Sequence, residues 1–327
     1  KHAMVLASEI LNAPEIIKKQ LNGKVTFDLS IGIDFVHFNQ NRSLEELLTS
    51  VTHARNTAKE NGTNKICFYN ESTHLKKKEI QSLEEDLVDV VEKKGFNIVY
   101  QLFYEIERGQ LSGAEALIRW QSATKGQIAP DTFIPLAEKM GLVHHIDYLV
   151  IEKVFSDFSL LDQSFLMSIN ITSHSFERDD FISYVEKQLK NYKIDSEKIQ
   201  FELTERALVK DIQRTIPKLL KLREMGIKIA IDDFGVGYSS LSYILKLPVD
   251  CIKIDRSFIK EINESLNAKT IVATILTMSQ SLNLKTVAEG VETAEIVNEL
   301  RHLKCNHGQG YYYSRPMHFN ELLKLFI

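Results

Sequence analysis

The chain has 327 residues, 44% of them hydrophobic, and a formal net charge of −4. That is enough apolar material for one large core and a smaller domain, while no apolar run reaches the ~18 residues of a membrane helix. The acidic balance argues against general nucleic-acid binding, so a phosphate ester would have to be met by local cations.

Three scattered cysteines, Cys67, Cys251 and Cys305, lack Cys-x-x-Cys spacing and point to reduced thiols in place of disulfides or zinc. No signal-peptide pattern opens the chain at Lys1–Met4. A cytoplasmic location is expected, with no membrane segment in this chain. The chain is then cytosolic by itself or as part of a longer, membrane-attached or sensor-bearing protein.

Residues 1–73 read as a separate α+β unit. Val25, Phe27, Leu29, Ile31, Ile33 and Phe35 alternate with polar neighbours, the period of a half-exposed strand. Ser43 and Glu46 form a capping box for a helix whose apolar stripe is Leu44, Leu47, Leu48, Val51, Ala54 and Ala58. Asn61-Gly62 ends that helix, and Lys65–Tyr69 supplies another strand. Residues 74–95 follow as an amphipathic connecting helix, with Lys76–Lys78 read as a solvated face.

Residues 96–327 carry a different cadence. Asn97–Gln101 and Ala114–Trp120 are predicted as two strands of an antiparallel hairpin joined across Gly109 and Gly113. Six strand-like stretches follow at intervals of twenty to thirty-odd residues, with helix-like sequence between them. They close at Asn170, Glu202–Glu205, Asp232-Asp233, Asp255, Glu289 and Gln309. A polar residue at each strand end is the pattern of a TIM-like (βα)8 barrel, whose site gathers at the C-terminal ends of the strands.

The residue types at those ends define a chemistry. Glu115, Asn170, Glu202 and Asp232 are hard oxygen donors on four strands, suited to Mg²⁺ or Mn²⁺ and not to zinc. Asp233 follows Asp232 directly, and adjacent strand residues point to opposite faces. The backbone must therefore leave the strand there, which the glycines at 235 and 237 make easy. Glu115, Glu202, Asp232, Asp233 and Glu289 carry five negative charges if ionised, which Lys253 and two divalent cations would cancel. Arg119 falls on the same strand face as Glu115, either to clamp a phosphate or to pair with a carboxylate. Gln309 reads equally as a positioner of water or substrate and as a buried, hydrogen-bonded amide. Lys253 is weighed against an ion pair with Asp255, and Tyr311–Tyr313 reads as packing in preference to a guanine platform.

The residues 96–327 also carry a set of ordered motifs. They run Tyr100-Gln101, Glu115-Ala-Leu-Ile-Arg119-Trp120, Phe133 to Glu138, Asn170-Ile-Thr and Glu202-Leu-Thr-Glu205. They continue with Asp232-Asp-Phe-Gly to Ser240, Ile252-Lys-Ile-Asp255 to Phe258, Ala288-Glu-Gly-Val-Glu-Thr293 and Gln309-Gly-Tyr311. In that order they resemble the EAL domain of cyclic di-GMP phosphodiesterases. One departure is Leu102-Phe103, where the family usually has proline after the glutamine. The N-terminal run Ser30-Ile-Gly-Ile33, Ser43 to Leu48 and Ala58 to Lys65 resembles the C-terminal part of a degenerate or truncated diguanylate cyclase (GGDEF) domain. The signature loop of that family is absent, so cyclase activity is not implied.

The EAL resemblance implies a cyclic-guanylate-specific phosphodiesterase, a two-metal hydrolase that opens cyclic di-GMP to linear pGpG. It implies that Glu115, Asn170, Glu202 and Asp232 hold one ion, with Asp232 bridging to a second held by Asp233 and Glu289. Lys253 and Glu289 act in catalysis, and Glu205 steadies the loop after Asp233. Gln101, Arg119, Asp255 and Gln309 face substrate. Two Mg²⁺ or Mn²⁺ ions per site, inhibition by Ca²⁺ and a homodimer through Ser239–Leu247 complete the expectation. The alternative is a catalytically silent cyclic di-GMP receptor that signals through its N-terminal unit.

Overall fold

The computed structural model describes residues 2–20, 28–35, 42–62, 64–162, 164–209, 211–236 and 244–326. It divides into two compact units, Lys1–Glu85 and Asp86–Ile327. In the first, β1 (Ser30–Ile33) and β2 (Lys65–Phe68) pair in parallel, Ser30 opposite Lys65. The helix Leu44–Glu60 opens on the expected capping box. Glu46 N donates to Ser43 Oγ at 3.2 Å, and Ser43 N donates to Glu46 Oε2 at 2.7 Å. Of the apolar stripe read in the sequence, Ala54 and Ala58 are buried, joined by Ser50, while Leu44, Leu48 and Val51 are exposed. Small residues let strand and helix approach closely. Of the strand expected over Val25–Phe35, residues 25–27 lie outside the described residues.

The second unit is the barrel. Its staves are β3 (Asn97–Glu105), β4 (Leu111–Ser122), β6 (Leu166–Asn170), β7 (Ile199–Thr204), β8 (Lys228–Phe234), β9 (Cys251–Ile254), β10 (Lys285–Ala288) and β11 (His307–Gln309). From β4 to β11 each pairs in parallel with the next, and β3 closes the cylinder antiparallel to both β4 and β11. Two short strands extend the sheet, β5 (Gly126–Ile128) beside β4 and β12 (Met317–His318) beside β3. The staves are short runs of alternating faces. On β7, Gln200 and Glu202 point inward while Phe201 and Leu203, both fully buried, pack under the surrounding helices. No helix among the described residues is long and apolar enough to cross a membrane.

Gly113 is not a joint between strands, as the sequence suggested; it lies within β4, opposite Phe103 on β3. A Cβ at 113 would stand 2.1 Å from the Phe103 ring and 2.5 Å from the Leu166 carbonyl oxygen. Phe103, which follows the Leu102 that replaces the family's proline, is thus housed by a glycine across the hairpin. Gly113→Ala is expected to cost about 1–3 kcal/mol through overpacking. Urea unfolding checks it, and Phe103→Leu in the same background should recover part of the loss.

Candidate active site

The inner wall of the barrel carries buried Ser168 and Gln200 lower down and gathers its charged groups at the C-terminal rim. Below lie Ala230, Cys251 and Val287, packed as one apolar cluster. Further up come Asp232 on β8, Lys253 on β9 and Glu289 just past the end of β10. Lys253, on β9, is 1% exposed and is the centre of the arrangement. Its Nζ lies 2.6 Å from Glu202 Oε2, 2.6 Å from Glu289 Oε1, 3.1 Å from Glu115 Oε2 and 3.4 Å from Asp232 Oδ1. The four carboxylates come from β4, β7, β8 and the residue after β10. The ion pair with Asp255 weighed from the sequence does not form; Asp255 instead caps the helix Arg256–Lys260, accepting from Ser257 N at 2.9 Å.

Neutral amides orient the first of these carboxylates. Asn170 Nδ2 donates to Glu115 Oε1 at 2.6 Å, and Gln309 Nε2 donates to Glu115 Oε2 at 2.7 Å. Gln309 also reaches Gln101 Oε1 at 3.4 Å, and Gln101 Nε2 donates to the Ser314 carbonyl at 3.2 Å. Asp233 stands at φ +53°, where the β8–β9 register breaks between Ile231 and Phe234. That bulge lets consecutive carboxylates serve one site, the departure from the strand that the Asp-Asp pair demands. The second glycine of that loop, Gly237, lies outside the described residues.

The electrostatics follow from packing charge into a dry barrel. Burial tends to raise the Glu115 carboxyl, but Lys253 and the Gln309 and Asn170 amides outweigh it and hold it below the ordinary value. Burial, reinforced by Glu115 and Asp232, pushes Glu202 well above it. Glu289 is pushed up to about 8, first by burial. Asp233 is raised by burial and by Asp232 and Asp255. Burial works to lower the Lys253 ammonium, yet its ring of carboxylates keeps it well above the usual lysine value. If all five carboxyls ionise, the one lysine leaves a surplus of negative charge. The donor set fits hard divalent cations. Oxygens of Asp232, Asp233 and Glu289 lie within 4.8 Å of one another. Asp232 Oδ1 is buried without a hydrogen-bond partner.

The rim opens into a cavity of about 650 Å³ whose lining includes neither Lys253 nor Glu202. Gln101, Glu115, Arg119, Asn170, Asp232, Asp233, Asp255, Glu289 and Gln309 face it. Glu202 lies beneath, reached through Lys253. Glu205 begins the helix Glu205–Val209 just beyond β7 and is not part of the lining; most of the loop it was expected to steady lies outside the described residues. Arg119 donates from Nη1 to its neighbour's carbonyl, Ile118 O, at 2.8 Å, which leaves a half-buried guanidinium at the cavity wall. Sequence reasoning missed Asp131, Arg256, Lys260 and Glu292 in the lining, and preferred packing for Tyr311, which also lines it. Arg256 and Lys260 were signalled only by standing one and five residues past a strand-end aspartate.

The EAL domain family matches residues 81–316. Over 292 residues the chain is 34% identical to the cyclic di-GMP phosphodiesterase NbdA of Pseudomonas aeruginosa, covering 88% of this chain and 37% of that protein. It is 34% identical over 304 residues to MucR of the same organism, a bifunctional diguanylate cyclase/cyclic di-GMP phosphodiesterase, covering 92% and 44%. The chain thus spans about two fifths of the length of these relatives. The structure of the MucR phosphodiesterase in its c-di-GMP complex is similar with a TM-score of 0.71 at 34% identity, over 74% of this chain and 99% of that one. The EAL enzyme Bd1971, with cAMP and cyclic-di-GMP bound, gives 0.74 at 28% identity over 88% and 77%. A barrel with one reversed stave, its rim carboxylates and a match across residues 81–316 agree: this chain belongs to the EAL-domain family.

Proposed function

We propose that this chain hydrolyses cyclic di-GMP to linear pGpG with the help of two divalent cations, Mg²⁺ or Mn²⁺. The observation that carries the reading is Lys253 ringed by Glu115, Glu202, Asp232 and Glu289, with Asp233 brought alongside by its bulge. Such a cluster repels a phosphodiester unless cations neutralise it. Glu115, Asn170, Glu202 and Asp232 would hold one ion, and Asp233 and Glu289 the second, with Asp232 shared. Bound there, the ions supply Lewis-acid polarisation of a phosphoryl oxygen and a more acidic water.

The chain's own groups do the rest. Arg119, Arg256 and Lys260 line the cavity and meet the substrate's phosphate charge, helped by Gln101 and by Asp255 on the nucleoside side. Gln309 and Asn170 fix the Glu115 carboxylate so that it does not rotate away. Lys253 stays an ammonium that donates to the carboxylates and holds the attacking water. Water adds to one phosphorus, the bond to the 3′ oxygen breaks, and that oxygen leaves with a proton as a hydroxyl.

The cyclic di-GMP phosphodiesterase activities of NbdA and MucR support this substrate, as does the c-di-GMP complex of the MucR phosphodiesterase. We further propose that Ca²⁺ inhibits by loosening the coordination. The working form is a cytoplasmic homodimer, with Glu205 coupling the dimer loop to β7. Residues 1–73 are a partial GGDEF-like unit joined by residues 74–95 to the barrel at 96–327. The test is purified protein with cyclic di-GMP and Mg²⁺, Mn²⁺ or EDTA, with products separated by chromatography. Linear pGpG with either metal and none in EDTA is the expected result. Binding by calorimetry with no product under any metal would put the silent-receptor reading in its place.

A further inference from the structure

Two residues past Gln309 an aromatic ring stands in the wall of the cavity without being packed away. Tyr311 is 55% exposed and lines the cavity. The Arg315 guanidinium lies 4.6 Å from the centre of its ring. The backbone that carries it is unusually well tied. Val291 N donates to Gln309 O at 2.9 Å, Tyr312 N to Val291 O at 3.0 Å, and Tyr313 N and Ser314 N to Gly310 O at 3.0 and 3.1 Å. Leu102 N on β3 donates to Ser314 Oγ at 3.2 Å. A Cβ at Gly310 would stand 2.1 Å from Val291 O, so the turn and the loop after β10 are in direct backbone contact. Tyr313 is stacked on Tyr104, ring centres 5.1 Å apart. The sequence reading of the three tyrosines as packing holds for Tyr313; Tyr311 sits in a turn and faces the cavity.

A rigid turn that presents an apolar ring to water, next to Gln309 and over an anion-handling floor, is a ready surface for a planar ligand. We infer that Tyr311 is the stacking platform for one purine base of the bound cyclic dinucleotide, and that Arg315 is a positioning residue that fixes the ring. This rests on the phosphodiesterase reading above and adds the element that recognises the base. The cation covers one face of the ring and leaves the other for the base. Stacking depends on π area and not on the hydroxyl, so Tyr311→Phe should behave like the parent.

Steady-state kinetics on the metal-loaded protein, with cyclic di-GMP and with bis(p-nitrophenyl) phosphate, test it. Tyr311→Ala should raise KM for cyclic di-GMP on the order of 10-fold, the loss of one base–aromatic stack, with kcat far less changed. The same replacement should move KM for bis(p-nitrophenyl) phosphate, which has no nucleobase, far less. Arg315→Ala should give a smaller rise that vanishes in the Tyr311→Ala background. Tyr311→Trp gives a readout independent of turnover: its indole fluorescence should be quenched by cyclic di-GMP when Ca²⁺, the inhibitory ion, fills the site. Equal KM values for cyclic di-GMP in the parent and Tyr311→Ala, or an unquenched indole in a protein that hydrolyses cyclic di-GMP, overturn the platform and leave the phosphodiesterase reading standing. A parent that neither binds nor hydrolyses cyclic di-GMP overturns both.

Discussion

Asp232→Asn should abolish turnover of cyclic di-GMP while leaving the barrel folded. The replacement keeps the shape of the side chain and removes one charge from a position where a carboxylate oxygen is buried without a hydrogen-bond partner. In the proposed two-metal site, sharing the cations is work an amide cannot do. A loss of several kcal/mol of charge stabilisation corresponds to roughly 10³-fold or more in rate. Isothermal calorimetry should show weakened Mn²⁺ binding, and circular dichroism an unchanged fold. Near-parental kcat for this variant at saturating Mg²⁺ or Mn²⁺ would remove Asp232 from the metal set.

Lys253→Met should lose roughly 10²–10³ in kcat, the range for removing one preorganised donor beside the reacting atoms. It should also cost stability, because removing one partner of a buried charge cluster leaves the others uncompensated, typically about 3–5 kcal/mol. The pH dependence has a definite sign. Glu289 is pushed up to about 8 and Glu202 is raised as well, so the folded protein binds protons there more tightly than the unfolded chain. Their contribution is complete below the ordinary glutamate range and is lost as pH rises toward 8. In EDTA, the parent should therefore lose urea resistance between about pH 5 and 8. Lys253→Met should lose more, because its carboxylates have no ammonium beside them. Mg²⁺ should restore the parent most at the alkaline end. A urea midpoint independent of pH in EDTA would contradict the charge assignment of the rim.

The barrel was legible because strands that each end in a polar residue, repeated at βα spacing, are compatible with few folds besides a parallel barrel. The Asp232-Asp233 pair even announced its bulge, since two adjacent side chains share a site only if the strand is broken between them. Depth was not legible. Periodicity placed Lys253 on the inner face but did not tell that Glu115, Glu202, Asp232 and Glu289 would converge on it, because those contacts depend on how eight strands tilt and stagger. Asp255 shares the alternation of Lys253, yet the strand ends at Ile254, and one residue later the carboxylate is better used at a helix N-terminus. The stripe on the helix Leu44–Glu60 was right only in its C-terminal half, for a related reason: Ala54 and Ala58 are buried, and Leu44 and Leu48 are exposed.

The reversed stave has a practical outcome for anyone who alters this molecule. Because β3 runs against its neighbours, its first residue, Asn97, pairs with Arg119 at the open end of the barrel. After the last stave, Met317 pairs with Tyr100, level with Ala116 and one position from Glu115. The chain therefore both joins and leaves the cylinder on the cavity side. A reporter domain attached at either of those two points is tethered beside the cavity. The exposed hairpin tip at Glu107–Gln110, between β3 and β4, lies at the opposite end and is where an insertion leaves the rim undisturbed.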